Sequence, residues 1–348
     1  MHHFKTCPSN KFLVKGSVDG TSVRLGMDGL VLYEQSGYGR PEKDGLRLAP
    51  QEALYLVYRS KITIEGYDLE SLISYFCEQE LFFRSFIVYR DLRERGYVVQ
   101  TGPHDFRVFR RGQRPGVGTS QYMVRVLSER DLIDFEVLIS EAAASINMRK
   151  QHVLAVVDDE GELTYYEIKL QPLQKDQPEP TLEPVDGLLT GRSVLIPGAA
   201  GSVFEAAGYG KRFDDQRLML SLVEAGYLQK REILTVHHRD QILSPGEYTE
   251  LFKADDAEAT EKAAVYDQIR DLGYIPRTGY KFGHHFRVYV CGMSHSDLLI
   301  HAIARGTALP MSVISRSVRL AHSVKKKMLF GCVHTTGIQY IEFGRIKL

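Results

Sequence analysis

Asp267-Gln-Ile-Arg-Asp-Leu-Gly-Tyr-Ile-Pro-Arg-Thr-Gly279, followed shortly by Phe286-Arg-Val-Tyr289, decides the fold because the chain carries it twice. The earlier version is Arg90-Asp-Leu-Arg-Glu-Arg-Gly-Tyr-Val-Val-Gln-Thr-Gly102, leading into Phe106-Arg-Val-Phe109. In both, an amphipathic run (residues 85–95 and 261–272) stops at Gly96 or Gly273, as a helix with a glycine C-cap does. An alternating strand with arginine on its polar side follows, over 106–109 and 286–290. An apolar segment (122–127; 298–303), a helix and two closing strands complete each copy. In the first copy the closing strands, 152–157 and 163–169, flank Asp158-Asp-Glu-Gly-Glu162. In the second they are 328–333 and 338–343, and flank His334-Thr-Thr-Gly337.

The repeat extends upstream. Tyr33-Glu-Gln-Ser-Gly-Tyr-Gly-Arg40 matches Phe204-Glu-Ala-Ala-Gly-Tyr-Gly-Lys211, and Gln51-Glu-Ala-Leu-Tyr-Leu56 matches Val223-Glu-Ala-Gly-Tyr-Leu228. Offsets between matched residues run from 171 (33 to 204) to 180 (106 to 286), so a whole unit is duplicated rather than a short solenoid repeat. Each unit opens with strands around turns, at Gly20, Gly29, Gly37 and Gly39 in the first copy, and a helical pattern over 50–58. The expected fold class is mixed α/β (α+β): a tandem pair of two-part units, each with a small mixed sheet flanked by helices. The expected division is 1–84 and 85–170 for the first copy, a Pro-rich linker over 171–186, then 187–260 and 261–348. The linker holds four of the chain's thirteen prolines and few apolar residues, which reads as exposed and stiff. The Gly-Tyr-Gly turns read equally well as tight structural turns or as functional contacts.

A chain of 348 residues, 43% hydrophobic, is long enough for two ordinary domains. With 44 basic and 44 acidic residues, no global field marks a nucleic-acid or membrane protein, so any phosphate-binding patch is local. No run approaches the roughly 18 apolar residues of a membrane span, and the N-terminus lacks the apolar core of a signal peptide. Cys7, Cys77, Cys291 and Cys332 are scattered, with no CxxC pair, which fits the reducing cytoplasm and argues against a zinc ribbon.

The copies differ where chemistry resides. Phe109 and Thr119 of the first correspond to Tyr289 and His295 of the second, and each copy has a lysine thirty-one positions after the latter, Lys150 or Lys326. Tyr289 closes a strand, His295 follows in a loop, and Lys326 lies where a later helix meets a strand. Tyrosine serves as a base when cations lower its pKa, histidine as an acid, and lysine as a fixed charge. Together they suit attack of a ribose 2′-hydroxyl on its neighbouring phosphodiester, without a metal. Singly, each is an ordinary strand tyrosine, loop histidine or solvated lysine. Two coordinated changes beside a retained lysine favour the chemical reading.

Arg316-Ser-Val-Arg-Leu-Ala-His-Ser-Val-Lys-Lys-Lys327 has five Lys or Arg among twelve residues and no acid, a local phosphate-binding surface. Residues 107–114 of the first copy are comparably basic, so basicity alone does not mark the active half.

The run Gly273-Tyr-Ile-Pro-Arg-Thr-Gly-Tyr-Lys-Phe-Gly-His-His-Phe-Arg-Val-Tyr289, then His295-Ser296, then Val318-Arg-Leu-Ala-His-Ser-Val-Lys-Lys-Lys327 resembles the catalytic domain of archaeal tRNA-splicing endonucleases of the homodimeric, duplicated type. The resemblance implies that Tyr289, His295 and Lys326 match the family's catalytic triad, with Lys325 and Lys327 flanking the lysine on the RNA-binding surface. It implies that Arg319 and Arg345, the latter just beyond the last strand, stack on both sides of a flipped-out bulge base. It implies no cofactor, a precursor tRNA substrate with a bulge-helix-bulge, and a homodimer. In the family an acidic loop of the inactive unit docks into a basic pocket on the partner's catalytic unit. Asp158, Asp159, Glu160 and Glu162 supply such a loop in the first copy, while the second has no acid there. An ordinary polar hairpin turn is the plain alternative.

Two other classes compete. A metal-dependent nuclease would use His284, His285, His295 and His301, but no HxxxH helix is present, Glu167 lies in the other copy, and His284 and His285 would point apart in a strand. A non-catalytic RNA-binding subunit suits the first copy alone; Tyr289 and His295 speak against it for the whole chain.

Overall fold

Four aromatic rings form the spine of each copy, and they repeat nearly ångström for ångström. In the computed structural model of the protein, which describes residues 13–102, 104–175, 180–290, 292 and 295–348, Tyr38, Tyr55, Tyr89 and Phe106 touch in series at centroid distances of 6.4, 5.9 and 5.8 Å. Tyr209, Tyr227, Tyr266 and Phe286 do the same at 6.3, 5.7 and 5.8 Å. These stacked, edge and tilted contacts lock the helix Pro50–Tyr58 against Phe82–Glu94, and Leu222–Lys230 against Ala259–Asp271. The expected duplication and mixed α+β class are thus present as packing.

A buried carboxylate anchors the start of each spine. Glu52 accepts hydrogen bonds from the backbone N–H of Gly39 and of Ala49, both at 2.9 Å. Its counterpart Glu224 accepts from Gly210 N–H at 2.9 Å and Ser221 N–H at 2.8 Å. The Arg93 guanidinium lies 3.7 Å from the Tyr38 ring centroid, and that of Arg270 lies 3.5 Å from Tyr209. Gly39 and Gly210 have φ of 70° and 58°, and a side chain on Gly39 would meet the Arg47 carbonyl at 2.6 Å. Both Gly-Tyr-Gly turns are therefore structural: glycine permits the positive φ and close approach, and the buried glutamate holds the turn.

The chain divides into two compact units. One holds the described residues up to Asp131, with 141–167 and 345–348; the other holds 132–140 and 168–344. In the first, the strands Arg40–Glu42, Gly45–Leu48, Ser22–Leu25, Val14–Asp19 and Ile62–Ile64 make one sheet in that order. Val99–Thr101 pairs antiparallel with Phe106–Phe109, which pairs with Ser120–Ser128; Gln151–Val157 then adds in parallel. That parallel step needs a crossover, supplied in sequence by the helix Phe135–Asn147.

The second unit repeats the plan. Lys211–Asp214, Arg217–Ser221, Ser193–Pro197, Val185–Thr190, Leu234–His238 and Gln241–Ile242 form the amino-terminal sheet. Ile275–Thr278, Phe286–Tyr289 and Leu298–Ile303 pair antiparallel, Lys327–His334 adds in parallel after the helix Met311–Ser323, and Gly337–Ile346 closes as a hairpin. Residues of the first copy complete its core. Leu132–Asp134 pairs with Ala308–Pro310, and the Phe135 ring sits 5.1 Å from Phe330 and 6.4 Å from Phe343.

Four expectations change. The region around Gly29 is helical, a 3-10 turn Met27–Gly29 running into Leu30–Ser36, because apolar Leu30 and Leu32 pack on the core instead of joining the sheet. The Pro-rich segment is not simply exposed: Leu182 is buried in the second unit's core, Leu173 packs against it, and Gln171 N–H donates to the Tyr340 carbonyl at 2.9 Å. Residues 176–179, like Cys7 and Cys291, lie outside the described residues. The last strand extends to Ile346, so Arg345 lies inside it. His284 and His285 precede the strand Phe286–Tyr289 and line one cleft together. Among the described residues, no helix is long and apolar enough to cross a membrane.

Glu52→Ala leaves two backbone N–H groups without an acceptor in the core, and the expected cost is about 2–4 kcal/mol. Urea titration of the variant against wild type measures it; a change under about 0.5 kcal/mol would show that the carboxylate does not hold the turn.

Candidate active site

Strand register determines what meets at the candidate site. Val288 pairs with Leu298, and Leu298 with Lys327. One residue further along this row stand Tyr289, Asp297 and Lys326, so Tyr289 and Lys326 reach the same end of the sheet. Asp297 N–H donates to the Val288 carbonyl at 3.2 Å and Lys327 N–H to the Asp297 carbonyl at 2.9 Å, carrying the pairing to that end. His295 is exposed, two residues before Asp297.

The three lysines separate clearly. Lys325 takes a left-handed turn, φ 56°, as the helix Met311–Ser323 ends, and its side chain is exposed. Lys326 N–H donates to the Ala321 carbonyl at 2.9 Å, and its ammonium donates to the Ser296 carbonyl, the residue after His295. Lys327 opens the next strand and pairs with Glu342 at 3.4 Å. Lys326 is thus the lysine whose charge faces the histidine loop.

The first copy makes the same bond. Arg149 has φ 56°, matching Lys325, and the Lys150 ammonium donates to the Ser120 carbonyl at 2.8 Å and its hydroxyl at 2.7 Å. Ser120 follows Thr119 as Ser296 follows His295. Burial, with the positive charge of Arg107, holds the Lys150 ammonium below the usual lysine range. In both copies lysine therefore ties the turn after the helix to the start of the neighbouring strand or the loop leading into it, whereas Phe109 is buried and Tyr289 half-exposed. The Arg287 guanidinium, two residues back on the same strand face, sits 5.6 Å from the Tyr289 ring.

Other expected residues are less concentrated. Arg319 is exposed on the helix Met311–Ser323, whose opposite side buries Met311, Ile314, Val318 and Ala321. Arg345 is exposed but belongs to the first compact unit, whereas Arg319 belongs to the second. At the acidic hairpin tip, Asp158 is occupied by its own turn, accepting from Glu160 N–H at 3.0 Å and Glu162 N–H at 2.9 Å, and Asp159 pairs with Arg130. Glu160 and Glu162 are exposed.

Within the second unit, a cleft of about 760 Å³ is lined by Lys211, Glu224, Glu258, Lys262, His284, His285 and His301 among others, and by none of Tyr289, His295 or Lys326. Glu258, His285 and His301 bring ligand-type atoms within 4.8 Å of one another, so the histidines weighed for a metal converge in part, without His295. Their present bonds oppose ligation. His285 Nδ1 accepts the Ala302 N–H at 3.0 Å, which leaves the proton of the neutral ring on Nε2, 3.1 Å from Glu258. The two imidazoles stack at 3.9 Å, and Lys262 already pairs with Glu258 at 3.1 Å. The group reads as a hydrogen-bonded network. Neither Glu258 nor Lys262 stood out in the sequence, since only the fold brings the start of the helix Ala259–Asp271 beside this strand.

Burial pushes the imidazole of His284 down to about 4, helped by His301, and burial likewise takes His285 to about 4. A histidine held neutral in the fold but titrating near 6.5 when unfolded adds stability above pH 6.5 that is lost as pH falls towards 4. His284 has both ring nitrogens buried without partners among the described residues. His284→Leu is expected to keep or raise stability at pH 7 and to shrink the fall in urea midpoint between pH 7 and pH 4.5. An unchanged fall would place the acid sensitivity elsewhere.

Comparison with known proteins covers nearly the whole chain. The profile of the tRNA intron endonuclease catalytic C-terminal domain matches twice, at 82–165 and 259–340. That of the tRNA intron endonuclease N-terminal domain also matches twice, at 14–74 and 185–249. The tRNA-splicing endonuclease of Methanococcoides burtonii is 40% identical over 332 residues, covering 91% of this chain and 94% of that protein. That of Methanosarcina acetivorans is 38% identical over 96% of this chain and all of its own length, and that of Natronomonas pharaonis 34% over 92% and 95%.

Proposed function

Since the chain belongs to the tRNA intron endonuclease family and is an endonuclease, we propose that it cuts precursor tRNA at bulge-helix-bulge junctions, and that only its second copy performs the chemistry. The observation that carries this reading is the Lys326 ammonium on the Ser296 carbonyl, beside His295 and at the Tyr289 end of the sheet.

In this mechanism Tyr289 takes the proton from the 2′-hydroxyl, whose oxygen attacks the adjacent phosphorus. The bond from phosphorus to the 5′ oxygen breaks, and His295 delivers a proton to that leaving oxygen. Lys326 faces the charge gathered on the pentacovalent phosphorus. The products are a 2′,3′-cyclic phosphate and a 5′-hydroxyl. No step draws on a cofactor or metal. Arg319 and Arg345 each contact the RNA, and Lys325 and Lys327 face the phosphate backbone. Lys327 must then share its charge with Glu342.

A homodimer supplies two cutting copies and two supporting ones. The exposed Glu160 and Glu162 at the first copy's hairpin tip, with Asp159, dock on the catalytic unit of a second chain, while Asp158 shapes the turn that presents them. The domain limits read from the sequence, the cytoplasmic location and the dimer belong to this same reading.

Cleavage of a bulge-helix-bulge RNA in excess EDTA tests the chemistry. Wild type should cut and leave a cyclic phosphate, while His295→Ala should lose roughly 10²–10⁴-fold in rate with RNA binding retained. Loss of wild-type cutting on chelation would instead favour a metal nuclease. For assembly, the double variant Glu160→Lys with Glu162→Lys should sediment as a monomer at concentrations where wild type is dimeric. A variant that stays dimeric would remove the tip from the interface.

A further inference from the structure

The loop between the first two strands of the catalytic-type sheet differs between the copies. In the first copy Thr101 pairs with Phe106, leaving four residues, 102–105; in the second Thr278 pairs with Phe286, leaving seven, 279–285. The added length carries Tyr280-Lys-Phe282, folded as a 3-10 turn. This turn is tightly built. Phe282 N–H donates to the Gly279 carbonyl at 2.7 Å, Gly283 N–H to the Tyr280 carbonyl at 2.9 Å, and Gly279 N–H to the His285 carbonyl at 2.9 Å. Gly283 has φ 66°, and a side chain on Gly279 would meet the His284 carbonyl at 2.7 Å.

This hydrogen-bonded turn displays an unusually exposed ring. Tyr280 is 87% exposed, the most exposed large apolar side chain among the described residues. Lys281 is exposed beside it and makes no ion pair among the described residues. Phe282 turns the other way, with its ring centroid 6.0 Å from the Lys326 ammonium, so the turn is anchored next to the proposed catalytic cation. A fixed, solvent-facing aromatic ring with an adjacent unpaired cation is the arrangement that stacks a nucleobase and meets its phosphate. The turn that carries it belongs to the copy with Tyr289 and His295.

We propose that Tyr280 is a stacking platform for an unpaired base of the RNA substrate and that Lys281 contacts the adjoining phosphate, forming a binding subsite in addition to Arg319 and Arg345. This rests on the endonuclease reading above. Stacking costs the ring little entropy because the turn already presents it. The subsite acts in binding and takes no part in proton transfer.

The test uses the full-length protein and a bulge-helix-bulge RNA carrying 2′-deoxyribose at the cut positions, which removes the attacking hydroxyl and isolates binding. Placing 2-aminopurine at each bulge position in turn reports stacking as fluorescence quenching. Tyr280→Ala should raise Kd about 5- to 100-fold and abolish quenching at one bulge position, and Tyr280→Phe should restore both. With cleavable RNA at saturation, Tyr280→Ala should cut at a rate within about threefold of wild type, so the effect falls on KM. Unchanged Kd and quenching in Tyr280→Ala, with wild type cutting normally, would overturn this inference alone. Loss of dimer in Tyr280→Ala by sedimentation would overturn it too, assigning the ring to a protein contact. Failure of wild type to bind any such RNA would overturn it together with the endonuclease reading.

Discussion

A lysine ammonium held on a backbone carbonyl is the contact on which the candidate site depends. Lys150 binds the Ser120 carbonyl and Lys326 the Ser296 carbonyl, each following a left-handed residue at the end of a helix. The bond joins the start of one strand, or the loop leading into it, to the helix end before its parallel neighbour. An ammonium offers three donors and no acceptor, so one proton can hold the carbonyl while the others face outward. In the first copy the hydroxyl of Ser120 takes a second donor as well. The first copy thus has the same clasp, with Phe109 and Thr119 where the second has Tyr289 and His295.

Beneath the site, duplication preserved packing more strictly than sequence. Between Phe106 and Phe286 the offset has grown to 180, yet the ring-to-ring distances of the two aromatic series agree within about 0.2 Å. Insertions accumulate in loops because loop length costs little free energy, whereas a buried ring displaced from its neighbours costs contacts on every side. The longer loop at 279–285 shows the same logic, adding exposed residues without disturbing Phe286.

Much of this was legible in the chain. The helix over 50–58 and the strands over 106–109 and 298–303 follow from period and glycine stops, and the structure has Pro50–Tyr58, Phe106–Phe109 and Leu298–Ile303. The Gly29 region misled because glycine beside short apolar runs suits a turn between strands as well as a helix start. Leu173 and Leu182 were hidden by the prolines around them; a stiff segment can still set single leucines into a core. For the site, comparing the copies singled out Tyr289, His295 and Lys326, but not the serine carbonyl each lysine holds, since a backbone acceptor leaves no mark on composition. Ser120 and Ser296 at equivalent positions were the available signal. The cluster of Glu258, Lys262, His285 and His301 depends on tertiary proximity across more than forty positions, 258 to 301, which no local pattern reports.

The central claim is a division of labour: the same lysine clasp supports structure in one copy and structure plus catalysis in the other. Single-turnover cleavage of precursor tRNA by Lys150→Ala and by Lys326→Ala, with the folded fraction of each determined, tests it most directly. The account predicts that folded Lys150→Ala cuts within a few-fold of wild type although its unfolding midpoint falls, while folded Lys326→Ala loses at least about 10²-fold. Equal losses in the two variants, or a Lys326→Ala protein that cuts at the wild-type rate, would contradict it.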